Sequence, residues 1–161
     1  MEREQSLKFM HDLLRLMAQK NGSDLFITAG FPPAIKIDGK ITPVSNQALS
    51  AQHTAELARA IMNDRQSAEF EATKESNFAI SPAGIGRFRV NALMQQGRVA
   101  VVCRTINTTI PNIDDLGLPP VIKEIGMAKR GLVVFVGGTG TGKTTSLAAM
   151  VDYRNANSHG H

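Results

Sequence analysis

Thirteen residues, VVFVGGTGTGKTT from Val133 to Thr145, restrict what this chain can fold into more than any other stretch of it. Gly137-Gly138-Thr139-Gly140-Thr141-Gly142-Lys143-Thr144 satisfies G-x-x-x-x-G-K-[ST]. The flanks supply the context the motif needs: the apolar run GLVVFV predicts a buried strand before the loop, and TTSLAAMVDYRN predicts a helix after it. A chance match in a glycine-rich loop would lack both. Glycines let successive backbone amides turn inward around phosphates, and the amino end of the helix adds a partial positive charge. In such a loop, which here runs on to Thr145, Lys143 reaches the β and γ phosphates of ATP and the Thr144 hydroxyl ligates magnesium.

Hydrolysis needs more than this loop. An acidic residue at the end of a second core strand holds magnesium, and usually another positions the attacking water. After the loop only Asp152 follows, on the predicted helix itself, while Asp114 and Asp115 fall in a turn-rich stretch. The strand GLVVFV also has no later strands to pair with, so the α/β unit that begins there is unfinished. The 161 residues alone are therefore expected to bind nucleotide, to hydrolyse very little, and to expose apolar surface around the loop.

The second informative segment is GRFRVNALMQQGRVAVVCRTI, Gly86 to Ile106. Phe88, Val90, Ala92 and Met94 alternate with Arg87, Arg89, Asn91 and Leu93, the period of a half-buried strand. Gln96-Gly97 predicts a two-residue hairpin turn, with Gln a weaker first residue than Asn or Asp. That register sets Met94 against Val99, Ala92 against Val101 and Val90 against Cys103 on one apolar face. The other face collects Arg87, Arg89, Arg98 and Arg104, with Arg89 directly across from Arg104. Like charges so opposed are unfavourable, by roughly 1 kcal/mol at ~5 Å in water. Either an anionic ligand relieves them, or they pair with Asp or Glu elsewhere on a solvated face.

The rest of the chain completes an α+β domain. Leu7, Met10, Leu13, Leu14 and Met17 predict an amphipathic helix over about 5–19, packed on its own domain and ended by Asn21-Gly22. LFITA, AIKID and ITPV predict a small meander, Ser50 caps a helix running to Met62, and a further helix covers about 64–73. NTTIPNIDDLGLPP, with three prolines, reads as a linker, and a short helix to about Ala128 follows it. The division is thus residues 1–107, a linker 108–117, and 118–161. Cys103 is the single cysteine, which excludes an intramolecular disulfide and a cysteine-based zinc cluster and fits a reducing compartment. The charged start lacks the features of a secretory signal. The net charge of +4 suits an anionic partner, but Lys and Arg form no run of five or more and no basic stretch carries interleaved aromatics of the kind expected for single-strand binding, which argues against nucleic acid. His159 and His161 at the tail are read as incidental rather than metal ligands.

With these residues placed, the chain resembles the type IV pilus retraction ATPases, the PilT and PilU kind within the secretion-type hexameric ATPases. The likeness rests on four ordered segments: SDLFITAGFPPAIKIDGKI, GRFRVNALMQQGRVAVVCRTI, LGLPPVIKEI and GLVVFVGGTGTGKTTSLAAMVDYRN. The resemblance implies a PAS-like amino-terminal domain followed, from Leu118, by the first part of an α/β RecA-like P-loop domain. It implies that Lys143 and Thr144 are the Walker A lysine and hydroxyl, and that Arg89 and Arg104 reach nucleotide phosphates at a domain and subunit cleft, with Arg87 and Arg98 as further candidates. It further implies a cytoplasmic hexamer that meets a related retraction ATPase and the inner-membrane platform protein of the pilus, associated with the membrane only peripherally. Gly138 replaces the proline common in the principal retraction motor's loop, which tilts the resemblance toward the accessory type. The family continues with an acidic segment, Walker B and a histidine-containing box, so the expected reading is the front part of a larger ATPase. The alternatives are a complete, non-catalytic nucleotide-binding or subunit-interaction module, and another motor of the secretion family.

Overall fold

The hairpin register read from the sequence is the one adopted, and a six-stranded antiparallel sheet grows from it. The structure is a computed structural model describing residues 2–107, 109–138 and 141–159. Thr139 and Gly140 of the loop, Thr108 and His161 lie outside the described residues. Two compact units divide the chain, residues 1–106 and 107–161.

In the first unit, α1 (Arg3–Gln19) leads to β1 (Asp24–Thr28), β2 (Ala34–Ile37) and β3 (Lys40–Pro43), followed by α2 (Ala51–Ala60) and α3 (Asp64–Thr73). Strands β4 (Glu75–Ile80), β5 (Arg87–Gln95) and β6 (Arg98–Ile106) complete it. The sheet order is β3-β2-β1-β6-β5-β4. The predicted meander therefore exists, but β1 also pairs with β6, a contact between distant parts of the chain. Strand β4 was not foreseen, because Phe78 and Ile80 are the only large apolar residues in ESNFAI, too few for a strand period to stand out.

Local chemistry explains the helix boundaries. The Ser50 hydroxyl accepts from the His53 N–H at 3.1 Å at the start of α2, and Asn63 Oδ1 accepts from the Gln66 N–H at 2.9 Å at the start of α3. In each case the third helical side chain reaches back to the cap N–H, so two otherwise unpaired donors are satisfied together. Helix α1 ends where Asn21 turns left-handed at φ 50°. Gln96 and Gly97 take φ 51° and 72°, the pair of positive values that a hairpin turn following the right-handed strand twist requires.

The core lies on one face of the sheet. Met10, Leu14 and Met17 of α1 and Leu57 of α2 pack with Leu25, Ile27, Ile35, Phe88, Val90 and Val101, all essentially inaccessible. Fully burying a side chain of this size contributes about 1.5–3 kcal/mol, so the alternation of β5 and β6 decides which way the sheet faces. Cys103 belongs to this core, and burial pushes its thiol up to about 12, which makes it inert packing.

In the second unit, Ile113–Leu116 forms a short 3-10 helix within the proline-rich stretch, α4 spans Val121–Met127 and α5 spans Lys143–Asn157. Buried Ile113 and Ala149 mark the contact between the 3-10 helix and α5. The guanidinium of Arg154 donates to the carbonyls of Gly126 and Ala128, each at 2.8 Å, which ties the end of α4 to α5.

One expected element fails. GLVVFV is not a buried strand: residues 131–138 have no regular structure, and Leu132 and Val136 are each 88% exposed. A strand needs ladder partners for its N–H and C=O groups, and no strand is formed in this unit among the described residues. The expected apolar exposure follows directly. A chain shortened to about residue 108 should stay soluble at higher concentration and bind less of a hydrophobic dye than the 161-residue chain; equal behaviour of the two in sedimentation and dye binding would show that the exposed run has no consequence.

Candidate functional site

The phosphate-loop residues gather at the amino end of α5. Gly142 stands at the cap with φ 88°, a conformation open to glycine at little cost, and no side chain caps the helix. The first-turn N–H groups therefore have no intrahelical acceptor, the usual anion-binding arrangement. The Lys143 ammonium curls over the loop, donating to the carbonyl of Gly137 at 2.7 Å and to that of Gly138. The Thr141 hydroxyl donates to the same Gly138 carbonyl at 2.8 Å. A Cβ on Gly137 would lie 2.7 Å from that hydroxyl, so a side chain there would press on the loop. On Gly138 the nearest atom would be 3.9 Å away, so this position accepts a larger residue. Thr144 and Thr145 are exposed in the first turn of α5. These features fit a bound polyphosphate, with Thr144 free to offer its hydroxyl to a cation.

The acidic residues of this unit are placed otherwise. Asp114 is paired with Lys123, whose ammonium also lies 5.3 Å from the centre of the Tyr153 ring. Asp115 is exposed in the 3-10 helix and Asp152 is exposed on α5. His159 is exposed, and the described residues hold no cluster of three or more His, Cys, Asp or Glu able to bind a metal ion.

The arginine face is built by the sheet of the first unit. Arg89 and Arg104 are direct partners across β5 and β6, and both line a hollow of roughly 380 Å³ with Asn77, Asn91, Leu93 and Val102. Arg87 shares the face two residues from Arg89 and does not line the hollow. Arg98 pairs with Gln95 at the turn, six residues and about 20 Å from Arg104 along the strand. The structure thus brings Arg89 and Arg104 together and leaves Arg87 and Arg98 outside.

Sequence reasoning missed what balances this pair. Asp24 of β1 lies directly across from Arg104, whose Nε donates to Asp24 Oδ1 at 2.8 Å. The Ser23 hydroxyl donates to Asp24 Oδ2, also at 2.8 Å. The Asp24 side chain is 7% exposed, whereas that of Arg104 is 71% exposed. Burial pushes the Asp24 carboxyl up, but the hydrogen bonds from Arg104 and Ser23, with the charges of Arg104 and Lys36, outweigh it and hold the group below its ordinary value. Arg104 is therefore compensated within the chain, and Arg89 has no ion pair among the described residues. The signal was present in SDLF, one residue before the predicted strand, but its use depends on the non-local pairing of β1 with β6.

No family model matches the chain. Individual proteins do. Over 149 residues, 92% of the chain, it is 54% identical to the type IV pilus ATPase PilU of Pseudomonas aeruginosa, of which it covers 39%. Over 150 residues, 93% of the chain, it is 39% identical to the type IV pilus retraction ATPase PilT of the same organism, of which it covers 44%. The crystal structure of the pilus retraction motor PilT with bound ADP matches with a TM-score of 0.79 at 33% identity, over 92% of this chain and 43% of that one. The resemblance carried by the four segments is borne out, and it is stronger to PilU than to PilT, as the glycine at position 138 suggested. The chain spans about two-fifths of the length of these relatives.

The lowered carboxyl of Asp24 makes a stability prediction. Because its folded value lies below the unfolded one, its contribution is fully present above the ordinary aspartate range, near pH ~4, and is lost as pH falls through the folded value. Thermal unfolding of the chain and of Asp24→Asn should differ most near neutral pH and converge in acid. A gap that stays constant from pH 7 to pH 3 would show that the Asp24 charge contributes nothing.

Proposed function

We propose that this chain is the amino-terminal portion of a hexameric ATPase of the type IV pilus retraction family, of the accessory PilU type, which couples ATP hydrolysis to pilus retraction and so to twitching motility. The observation that carries the reading is the phosphate loop with Lys143 over it at an uncapped helix end, in a chain 54% identical to a type IV pilus ATPase. In this reading residues 1–107 are the PAS-like domain, for which the antiparallel sheet with its core on one face is the support. Residues 108–117 are the linker, and 118–161 begin the RecA-like motor domain.

The residues take roles by their chemistry. Gly137, Gly138, Thr139, Gly140, Thr141 and Gly142 supply the backbone cradle, Thr145 continues it into α5, and Thr144 offers its hydroxyl to magnesium. Lys143 exchanges the two loop carbonyls for phosphate oxygens. Magnesium ATP, when bound, supplies the phosphoanhydride whose cleavage drives the motor. Arg89 and Arg104 contact phosphates of the bound nucleotide and stabilise the charge that builds there, an effect greatest where water is excluded. Arg87 and Arg98 are left as flanking charges of the same face.

The partners follow from the same reading: further copies in a hexamer, a related retraction ATPase, and the inner-membrane platform protein, on the cytoplasmic side. No described helix is long and apolar enough to cross a membrane.

Two experiments test this. The 161-residue chain should bind nucleotide weakly and release almost no phosphate, since none of its described acids sits at a strand end beside the loop. Robust turnover lost in Lys143→Ala would refute that. In the full-length protein, Arg89→Ala and Arg104→Ala should reduce hydrolysis on the order of a thousandfold, the scale of a phosphate-sensing arginine, with thermal unfolding little changed in Arg89→Ala and lowered in Arg104→Ala, which strips the buried Asp24 carboxylate of its partner. Arg65→Ala, on the exposed side of α3, should change stability by no more than about half a kcal/mol and leave turnover intact. Unaltered hydrolysis in both hairpin variants would reduce the arginines to an ordinary solvated face.

A further inference from the structure

Three neighbouring strands carry a row of charges: Asp24 on β1, Arg104 on β6 and Arg89 on β5, each opposite the next. Adjacent strands stand about 4.8 Å apart, so the order is negative, positive, positive across roughly 10 Å. The members are not alike. Asp24 is buried and held from its far side by the Ser23 hydroxyl, while the head of Arg104 stands in solvent beside the hollow. Asp24 engages only Nε, and the two terminal amino groups of Arg104 have no hydrogen-bond partner among the described residues.

We propose that Asp24 is a positioning residue for the nucleotide site: it fixes Arg104 by Nε so that both terminal amino groups are presented, beside Arg89, to the phosphates of the bound nucleotide. The inference rests on the phosphate role given above to the two arginines. An ordinary surface pair has two mobile partners and little consequence. Here the carboxylate is the fixed half and the guanidinium the free half, the arrangement that orients a group rather than hides it. A free arginine must lose rotamer freedom when it meets a ligand, and two free guanidinia facing each other would swing apart. Asp24 removes both obstacles before ligand arrives, and preorganised groups of this kind act most strongly on developing charge. Lys36, across from Asp24 on β2, is the other cation facing the carboxylate, and no ion pair joins them.

The test is a double-mutant cycle on steady-state ATP hydrolysis by the full-length protein, with thermal unfolding measured on every variant. Asp24→Asn keeps the shape and removes the charge. It is expected to lower kcat about tenfold with a much smaller change in KM, and to cause no further loss in an Arg104→Gln background, because its effect passes through Arg104. Arg104→Lys keeps the charge but has a single nitrogen for both tasks, so it is expected to lose turnover as well. It also serves as the second probe should Asp24→Asn unfold. Equal losses from Asp24→Asn in both backgrounds would assign Asp24 to fold stability alone and overturn the proposal. So would wild-type turnover in Asp24→Asn or in Arg104→Lys while Arg104→Gln is impaired, an outcome that leaves the phosphate role standing. Wild-type turnover in both Arg89→Ala and Arg104→Gln overturns the phosphate role itself, and the positioning role with it.

Discussion

The antiparallel pairing of β5 with β6 is the constraint on which the rest of the first unit depends. Nine residues on each strand are paired in a single register, so a shift of one position would turn every core side chain to the other face. Phe88, Val90, Ala92, Val99, Val101 and Cys103 then fall on one side, and α1 and α2 close over them. The turn at Gln96 and Gly97 holds the register from the loop end, and burial holds it along the length. Because core and register are settled together, the four arginines have no choice of face.

That face is charged beyond what a hairpin alone would tolerate, and the sheet answers with a third strand. Placing β1 beside β6 sets a buried carboxylate against Arg104, and the hydrogen bond from Ser23 completes its shell. A buried carboxylate is costly unless it is paired and hydrogen-bonded, and Asp24 meets both conditions. The result is an excess of one positive charge in the row, carried by Arg89, beside a hollow lined by the amides of Asn77 and Asn91. Asn91 Oδ1 is buried there without a hydrogen-bond partner among the described residues.

The second unit shows the opposite balance between local and distant interactions. Helix α5 and the loop are set by contacts a few residues apart: Gly142 at the cap, the Lys143 bonds to Gly137 and Gly138, and the Thr141 hydroxyl. The apolar run before the loop has the composition of a strand, yet strand geometry is stabilised only by a neighbour, and it remains without regular structure and exposed to solvent. In the proline-rich stretch, buried Ile113 gives the short 3-10 helix a hold on α5.

What the sequence by itself determined is whatever depends on near neighbours: the helix cap at Ser50, the tight turn at Gln96-Gly97, the facing of Arg89 and Arg104, and the phosphate loop at the start of a helix. Each rests on spacings of two to four residues or on one hairpin, where the period of the side chains leaves a single solution. Only the tertiary structure decided that β1 lies beside β6, that Glu75–Ile80 is a strand, that GLVVFV is not, and that Asp24 rather than an outside anion compensates Arg104. The reason is the same in all four: strand pairing joins residues far apart in the chain, Asp24 and Arg104 among them, and the free energy of such a pairing resides in the partner, which the local pattern does not name.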